Sequence, residues 1–122
     1  MATYKPISEL RARDFDETLH EDDGVLSIIL TDDQDGGITC TFDAPLAYRK
    51  LDEGAALLIL AEINMSGGLG SLLYVVEGSE FSDWFRKQSQ GTRRENYQHY
   101  CLATINSVID VLANDPPSFS EV

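Results

Sequence analysis

His99 and Cys101 stand two residues apart in a stretch that reads as a strand, so their side chains share one face. From that spacing an imidazole–thiolate pair could be built. Such a pair needs an exposed, activated thiolate and a third group that orients the ring, and the surrounding residues indicate neither. His99 therefore reads as a satisfied sheet histidine. The other two candidates, His20 and Cys40, are isolated; without a Cys-x-x-Cys or Cys/His cluster no zinc site is expected. Both cysteines read as reduced, buried and apolar. Tyr48, Arg49, Glu53 and His99 are the polar side chains that a pocket between sheet and helices would offer a small ligand. Asp22, Asp23, Asp32, Asp33 and Asp35 form a different kind of set. They are loop carboxylates, placed to reach a partner rather than to react.

Three local patterns imitate known chemistry and lack its context. Asp14-Phe15-Asp16-Glu17-Thr18 has the D-x-D-x-T form of haloacid-dehalogenase phosphatases, where one Asp is a nucleophile and the next a general acid. That chemistry requires a buried parallel strand ahead of the motif, and Arg11-Ala12-Arg13 stands there instead. Asp33-Gln34-Asp35-Gly36 resembles the middle of an EF-hand calcium loop. The loop's first and twelfth positions would be Thr31 and Phe42, where carboxylates are needed. Gly67-Gly68-Leu69-Gly70-Ser71 is glycine-rich but has no lysine and precedes a strand, so it reads as a connector and not a phosphate cradle. Arg86, Lys87, Arg93 and Arg94 make a small basic patch of solvated charges.

Charge narrows the function classes. The chain has 122 residues and a net charge of −12. Residues 1–53 hold 13 acids against 5 bases, and residues 54–122 hold 8 against 4. Such a field repels nucleic acid and anionic membranes and attracts a basic partner. The length fits one domain, 1–122, with its own core. No run reaches transmembrane length, and the opening MATYKPISELRARDFDE has no apolar signal-peptide core, so the expected compartment is the cytoplasm. No cofactor is expected.

The elements that must position these residues are organised around Leu72 to Gln90. Leu72 to Val76 is an apolar, β-branched and aromatic run, the pattern of a strand buried on both faces. Glu77-Gly78 breaks it, Ser79 is an N-cap, and Glu80 sits at the positive helix end. Phe81, Trp84 and Phe85 then give one aromatic face expected in the core, with Arg86 and Lys87 near the C-terminus. Upstream, Ser8 to Arg13 suggests a helical turn and Asp14 to Asp23 an acidic loop. Val25 to Thr31 and Ile38 to Phe42 form a hairpin with Leu26, Ile28, Leu30, Ile38, Cys40 and Phe42 inward. Leu46 to Lys50 reads as a third strand. Asp52 to Asn64 favours a helix, although its LLIL block also suits a strand. Tyr97 to Ile105 is a strand, with Tyr97, His99, Cys101 and Ala103 on one side. Val108 to Ala113 fits strand or helix, and its Val-Ile-Asp-Val core favours strand. Asn114-Asp115-Pro116-Pro117 stops it, leaving residues 115–122 as a loose tail. The expected fold class is α+β: one antiparallel sheet of five to six strands with two main helices, Asp52–Asn64 and Ser79–Ser89.

Three segments carry a resemblance: YRKLDEG (Tyr48 to Gly54), SEFSDWFRKQS (Ser79 to Ser89) and HYCLATINSVIDVLANDPP (His99 to Pro117). Together with small size and acidity, they make the chain similar to small bacterial immunity proteins of contact-dependent or secreted toxin systems. The resemblance implies a cytoplasmic protein that binds one toxin domain and blocks it, and carries over no functional residues. The expected reading is a non-enzymatic binding protein whose acidic surface meets a basic toxin site, with Asp22, Asp23, Asp32, Asp33 and Asp35 as the contact set because loop carboxylates can reach a partner. Two other readings stay open: a small-ligand or enzymatic domain using the pocket set above, and a structural protein that forms a homodimer through a sheet edge.

Overall fold

The computed structural model describes residues 2–34, 36–67, 70–90 and 96–121. Its strands are β1 (Thr3–Pro6), β2 (Asp16–Asp22), β3 (Val25–Thr31), β4 (Gly37–Asp43), β5 (Ala47–Asp52), β6 (Leu73–Glu77), β7 (Gln98–Ala103), β8 (Ser107–Ala113) and β9 (Ser118–Glu121). Its α-helices are α1 (Leu57–Met65) and α2 (Glu80–Gln88). The α+β class with two helices holds, but the strands of the described residues make two sheets and not one. A five-stranded sheet runs β1-β6-β7-β8-β5, and a four-stranded sheet runs β2-β3-β4-β9, with every pairing antiparallel.

Strand periodicity explains the layering. Leu73 and Val75 pack with Leu26, Ile28, Leu30, Cys40 and Phe42 in a core between the two sheets. Tyr74 and Val76 point the opposite way and pack with Ile63, Ile59 and Leu60 of α1. The five-stranded sheet is thus covered on both faces, which is why β8 is buried at every position and, after Ser107, reads as an apolar run broken by Asp110. The four-stranded sheet is covered on one face only, so β3 alternates buried with partly exposed residues, as its sequence predicts. Each of the fully buried Leu26, Ile28 and Leu30 contributes roughly 1.5–3 kcal/mol.

Several expectations are corrected. Asp14 to Asp23 is no loop: after a short 3-10 turn at Ala12–Asp14, residues Asp16–Asp22 form the edge strand β2. Leu19 packs on the inter-sheet core, and Glu17 turns inward to meet Lys50 at 3.2 Å, so an acid-rich strand is anchored from the far sheet. The tail is not loose, because Ser118–Glu121 pairs with Ile38–Thr41. Pro116-Pro117 keeps the chain extended, and the open edge of β4 supplies the hydrogen-bond partners. Trp84 is not core; it is half exposed and stacks on Phe81 at 5.8 Å, because Phe81 alone inserts beneath α2. The first helix begins one turn later than expected, after a 3-10 turn at Glu53–Ala55 capped by Asp52, and ends at Met65 with Ser66 as its C-cap and Gly67 at φ 79. The Asp23-Gly24 turn between β2 and β3 has both φ angles positive, as a two-residue hairpin turn requires.

Candidate functional site

A chain of polar contacts fixes α2 on the sheet. Ser79 is the N-cap, and its Oγ accepts from Ser82 N–H at 3.1 Å. The same Oγ lies 2.7 Å from His99 Nδ1. His99 Nε2 meets Asp110 Oδ1 at 2.6 Å, and Arg49 Nε donates to Asp110 Oδ2 at 2.8 Å. Arg49 in turn lies over the Phe81 ring, 4.5 Å from its centre, which returns the chain of contacts to α2. Register explains the assembly: His99 is on β7, Asp110 on β8 and Arg49 on β5, with Arg49 directly opposite Asp110.

Electrostatics sets the proton positions. Burial by itself would raise the Asp110 pKa, but hydrogen bonds and charge from His99 and Arg49 outweigh it and hold the carboxyl below its ordinary value. A carboxylate only accepts, so the His99 proton sits on Nε2 when the ring is neutral, and Nδ1 accepts from the Ser79 hydroxyl. Serine, histidine and aspartate in series have the composition of an acyl-transfer relay. Here Ser79, His99 and Asp110 are all buried, and the serine oxygen already serves the helix cap. The contacts act as a clamp that ties the start of α2 to three strands.

The pocket set read from sequence is half assembled. Arg49 and His99 meet through Asp110. Tyr48, one residue along β5, points to the opposite face and donates to Glu21 of β2 at 2.6 Å. Glu53 lines a cleft of about 810 Å³ between α1 and the β7–β8 turn, with Leu60, Ala61 and Ile105. Sequence reasoning missed Asp110. Its signal was present, an aspartate inside the apolar run Val108 to Leu112, and such a residue must be paired when buried. The Cys101 thiol, opposite Asp110 in register, is pushed well above its ordinary pKa by burial and then by Asp110, so no activated Cys–His pair forms.

The acidic set divides between two ends of the four-stranded sheet. Asp22 and Asp23 lie at the β2–β3 turn, and Asp32 and Asp33 at the β3–β4 turn. The seven residues of β3 put about 20 Å between them. Asp35 lies outside the described residues. In place of Asp22 and Asp23, the fold brings Asp14 and Asp16 beside Asp32 and Asp33, around a concavity of about 320 Å³ that also holds Ile105 and Asn106. Asn106 donates to Asp16 at 2.8 Å, and this bond, followed by one from Glu17, lowers the Asp16 pKa. Asp32 Oδ1 accepts from Gln34 and Gly36 and holds its turn. Among the described residues no group of three His, Cys, Asp or Glu is spaced to hold a metal ion. The four carboxylates are spread around a rim, an arrangement suited to extended cationic side chains. The D-x-D-x-T motif falls on this rim, with Asp16 opening an antiparallel edge strand. Of the basic patch, Arg86 pairs with Asp83 on α2, and Arg93 and Arg94 lie outside the described residues. No helix of the described residues is long and apolar enough to cross a membrane. Compared with protein-family models, curated proteins and solved structures, the chain has no match.

Proposed function

We propose that this chain is a non-enzymatic acidic binding protein of the immunity-protein kind, acting in the cytoplasm to hold and block a basic toxin domain. The observation that carries the reading is the concavity rimmed by Asp14, Asp16, Asp32 and Asp33, with no lysine or arginine among its described lining residues. Four carboxylates around one depression, on a chain of charge −12, steer a cationic surface toward that end and pair with its side chains on arrival. The product of the adjacent reading frame is the partner to test by titration calorimetry and co-expression. Asp14→Lys, Asp33→Lys and Asp32→Asn together reverse the net charge of the rim while the asparagine still accepts the Asp32 turn bonds. This variant is expected to lose at least about tenfold in affinity, with a flatter salt dependence. Asp22→Lys, at the far end of the sheet, is expected to change little. The opposite ranking would move the contact to the other end, and unchanged affinity in both would remove the acidic loops from the interface.

The Ser79–His99–Asp110 series favours a second reading, an acyl-transfer site reached through the groove between α1 and α2 that Ser79 and Phe81 line. Labelling of Ser79 by a fluorophosphonate in the folded protein, abolished by His99→Gln, would establish that reading in place of the first.

A further inference from the structure

We infer that the cleft beside α1 and the acidic concavity form one docking surface, and that its occupant is a cationic amphipathic helix presented by the protein partner. The inference rests on the acidic-binder reading and adds where the partner sits and in what form.

The first observation is the composition of α1. Its sequence, LLILAEINM, has no polar face. Ile63 is buried, and Ile59 and Leu60 pack against the sheet. At about 100° per residue, Leu57, Ala61, Met65 and Leu58 fall within an outward arc of about 100°. Leu57, Leu58 and Met65 are each 69% exposed. Apart from Glu62 and Asn64 at the two margins of this arc, α1 is apolar all round, and such a helix is normally covered on every side.

The second observation is continuity. Ala61 belongs to the outward arc and also walls the 810 Å³ cleft. Ile105, half exposed at the β7–β8 turn, lines both that cleft and the acidic concavity. An apolar path therefore runs from α1 through Ala61 and Ile105 to the rim of Asp14, Asp16, Asp32 and Asp33.

Charge selects the occupant. A second copy of a chain at −12 would set acid against acid along this path, where Glu53 in the cleft adds to the rim carboxylates and Arg11 is the cation among the described lining residues. A bilayer with anionic headgroups is repelled for the same reason. Nine residues of helix span only about 13.5 Å, too little for the roughly 800 Å² per partner of a stable interface, so the cleft and concavity must contribute. A helix with apolar residues along one face and Lys or Arg along its flank fills the cleft and meets the rim together, the helix-in-groove mode.

The test uses the full chain and a synthetic Leu/Lys peptide of about five helical turns with one apolar face. A scrambled peptide of equal composition has no such face. Amide NMR of the native protein is expected to show peptide-induced shifts at Leu60, Ala61, Asn64, Ile105 and Asp33. The scrambled peptide is expected to bind about tenfold or more weakly, and Ala61→Glu with Ile105→Glu, both at exposed positions, to lose about tenfold for the ordered peptide. Equal binding of the two peptides, shifts confined to α2 or to the outer face of β2 to β4, self-association through α1, or absence of binding would each overturn the inference. If these results fail while the Asp14, Asp32 and Asp33 variant still weakens the natural complex, the docking mode falls and the acidic-binder reading stands.

Discussion

Asp110→Asn tests the clamp beneath α2 with the least change of shape. Asparagine accepts on one oxygen only, so its NH₂ either faces Arg49 Nε–H, donor against donor, or faces His99, whose ring must then shift its proton to Nδ1 to accept it, with Ser79 Oγ as the new acceptor. In the first case one of two charge-assisted bonds is lost and the other loses its charge. In the second both lose the carboxylate's charge, and the Ser79 hydroxyl loses its acceptor. Such bonds contribute about 1.5–3 kcal/mol each. The Arg49 side chain is 41% exposed and regains water, which discounts its share, whereas His99 is buried and does not. The expected loss is about 3 kcal/mol, or roughly 10 °C in Tm for a domain of this size. The folded Asp110 pKa lies below its unfolded value, so the stabilisation is complete above the ordinary aspartate range near about pH 4 and is lost as pH falls from there through the folded pKa. The gap between the two proteins should therefore narrow in acid. Urea unfolding at neutral and acidic pH, followed by far-UV circular dichroism and by Trp84 fluorescence, reads both effects, because Trp84 stacks on the Phe81 ring that covers Arg49 and His99. A variant within about 1 kcal/mol of the parent at neutral pH, or a gap that ignores pH, refutes the reasoning.

Burial pushes the Cys40 thiol up to about 12 and raises Cys101 as well, so neither should react with a disulfide reagent at pH 8 until urea unfolds the chain; prompt labelling of the folded protein would contradict the buried positions. Gly24→Ala should cost about 1 kcal/mol from backbone strain alone, since its φ is 77 and no atom lies within 4 Å of an added Cβ. Gly36→Ala acts by another route: its Cβ would lie 2.7 Å from Asp32 Oδ2, so amide exchange at Gln34 and Gly36 should quicken as the turn loosens. Ser79→Ala removes the cap and leaves His99 Nδ1 without its hydroxyl, an expected loss of about 2 kcal/mol by the same urea titration.

Local pattern was enough for the elements whose information is local. Alternation in Val25 to Phe42 specified which residues of the hairpin face inward, and Ser79 with Glu80 specified the start of α2, because caps and pleats depend on neighbours in the chain. Pattern also favoured strand for Val108 to Ala113. It failed where a residue's role depends on a distant surface. The stretch Asp14 to Asp23 reads as a loop because its acids offer little apolar alternation, yet Lys50 and Tyr48 from the other sheet hold it extended. Residues 118–121 look loose until the edge of β4 is beside them.

The sequence by itself determined the class of the protein: an α+β chain, strongly acidic, with its charge gathered toward one half. Composition and short-range periodicity carry that information without any fold. Only the tertiary structure decided which charges act together. Hairpin geometry places Asp22 and Asp32 at opposite ends of one strand, and the same β2–β3 pairing, which sets Asp16 opposite Thr31, brings Asp14 and Asp16 beside Asp32 and Asp33. The register of β5, β7 and β8 likewise joined Arg49, Asp110 and His99, residues up to 61 positions apart. Coulomb forces and hydrogen bonds act over ångströms in space, and separation along the chain does not report those distances.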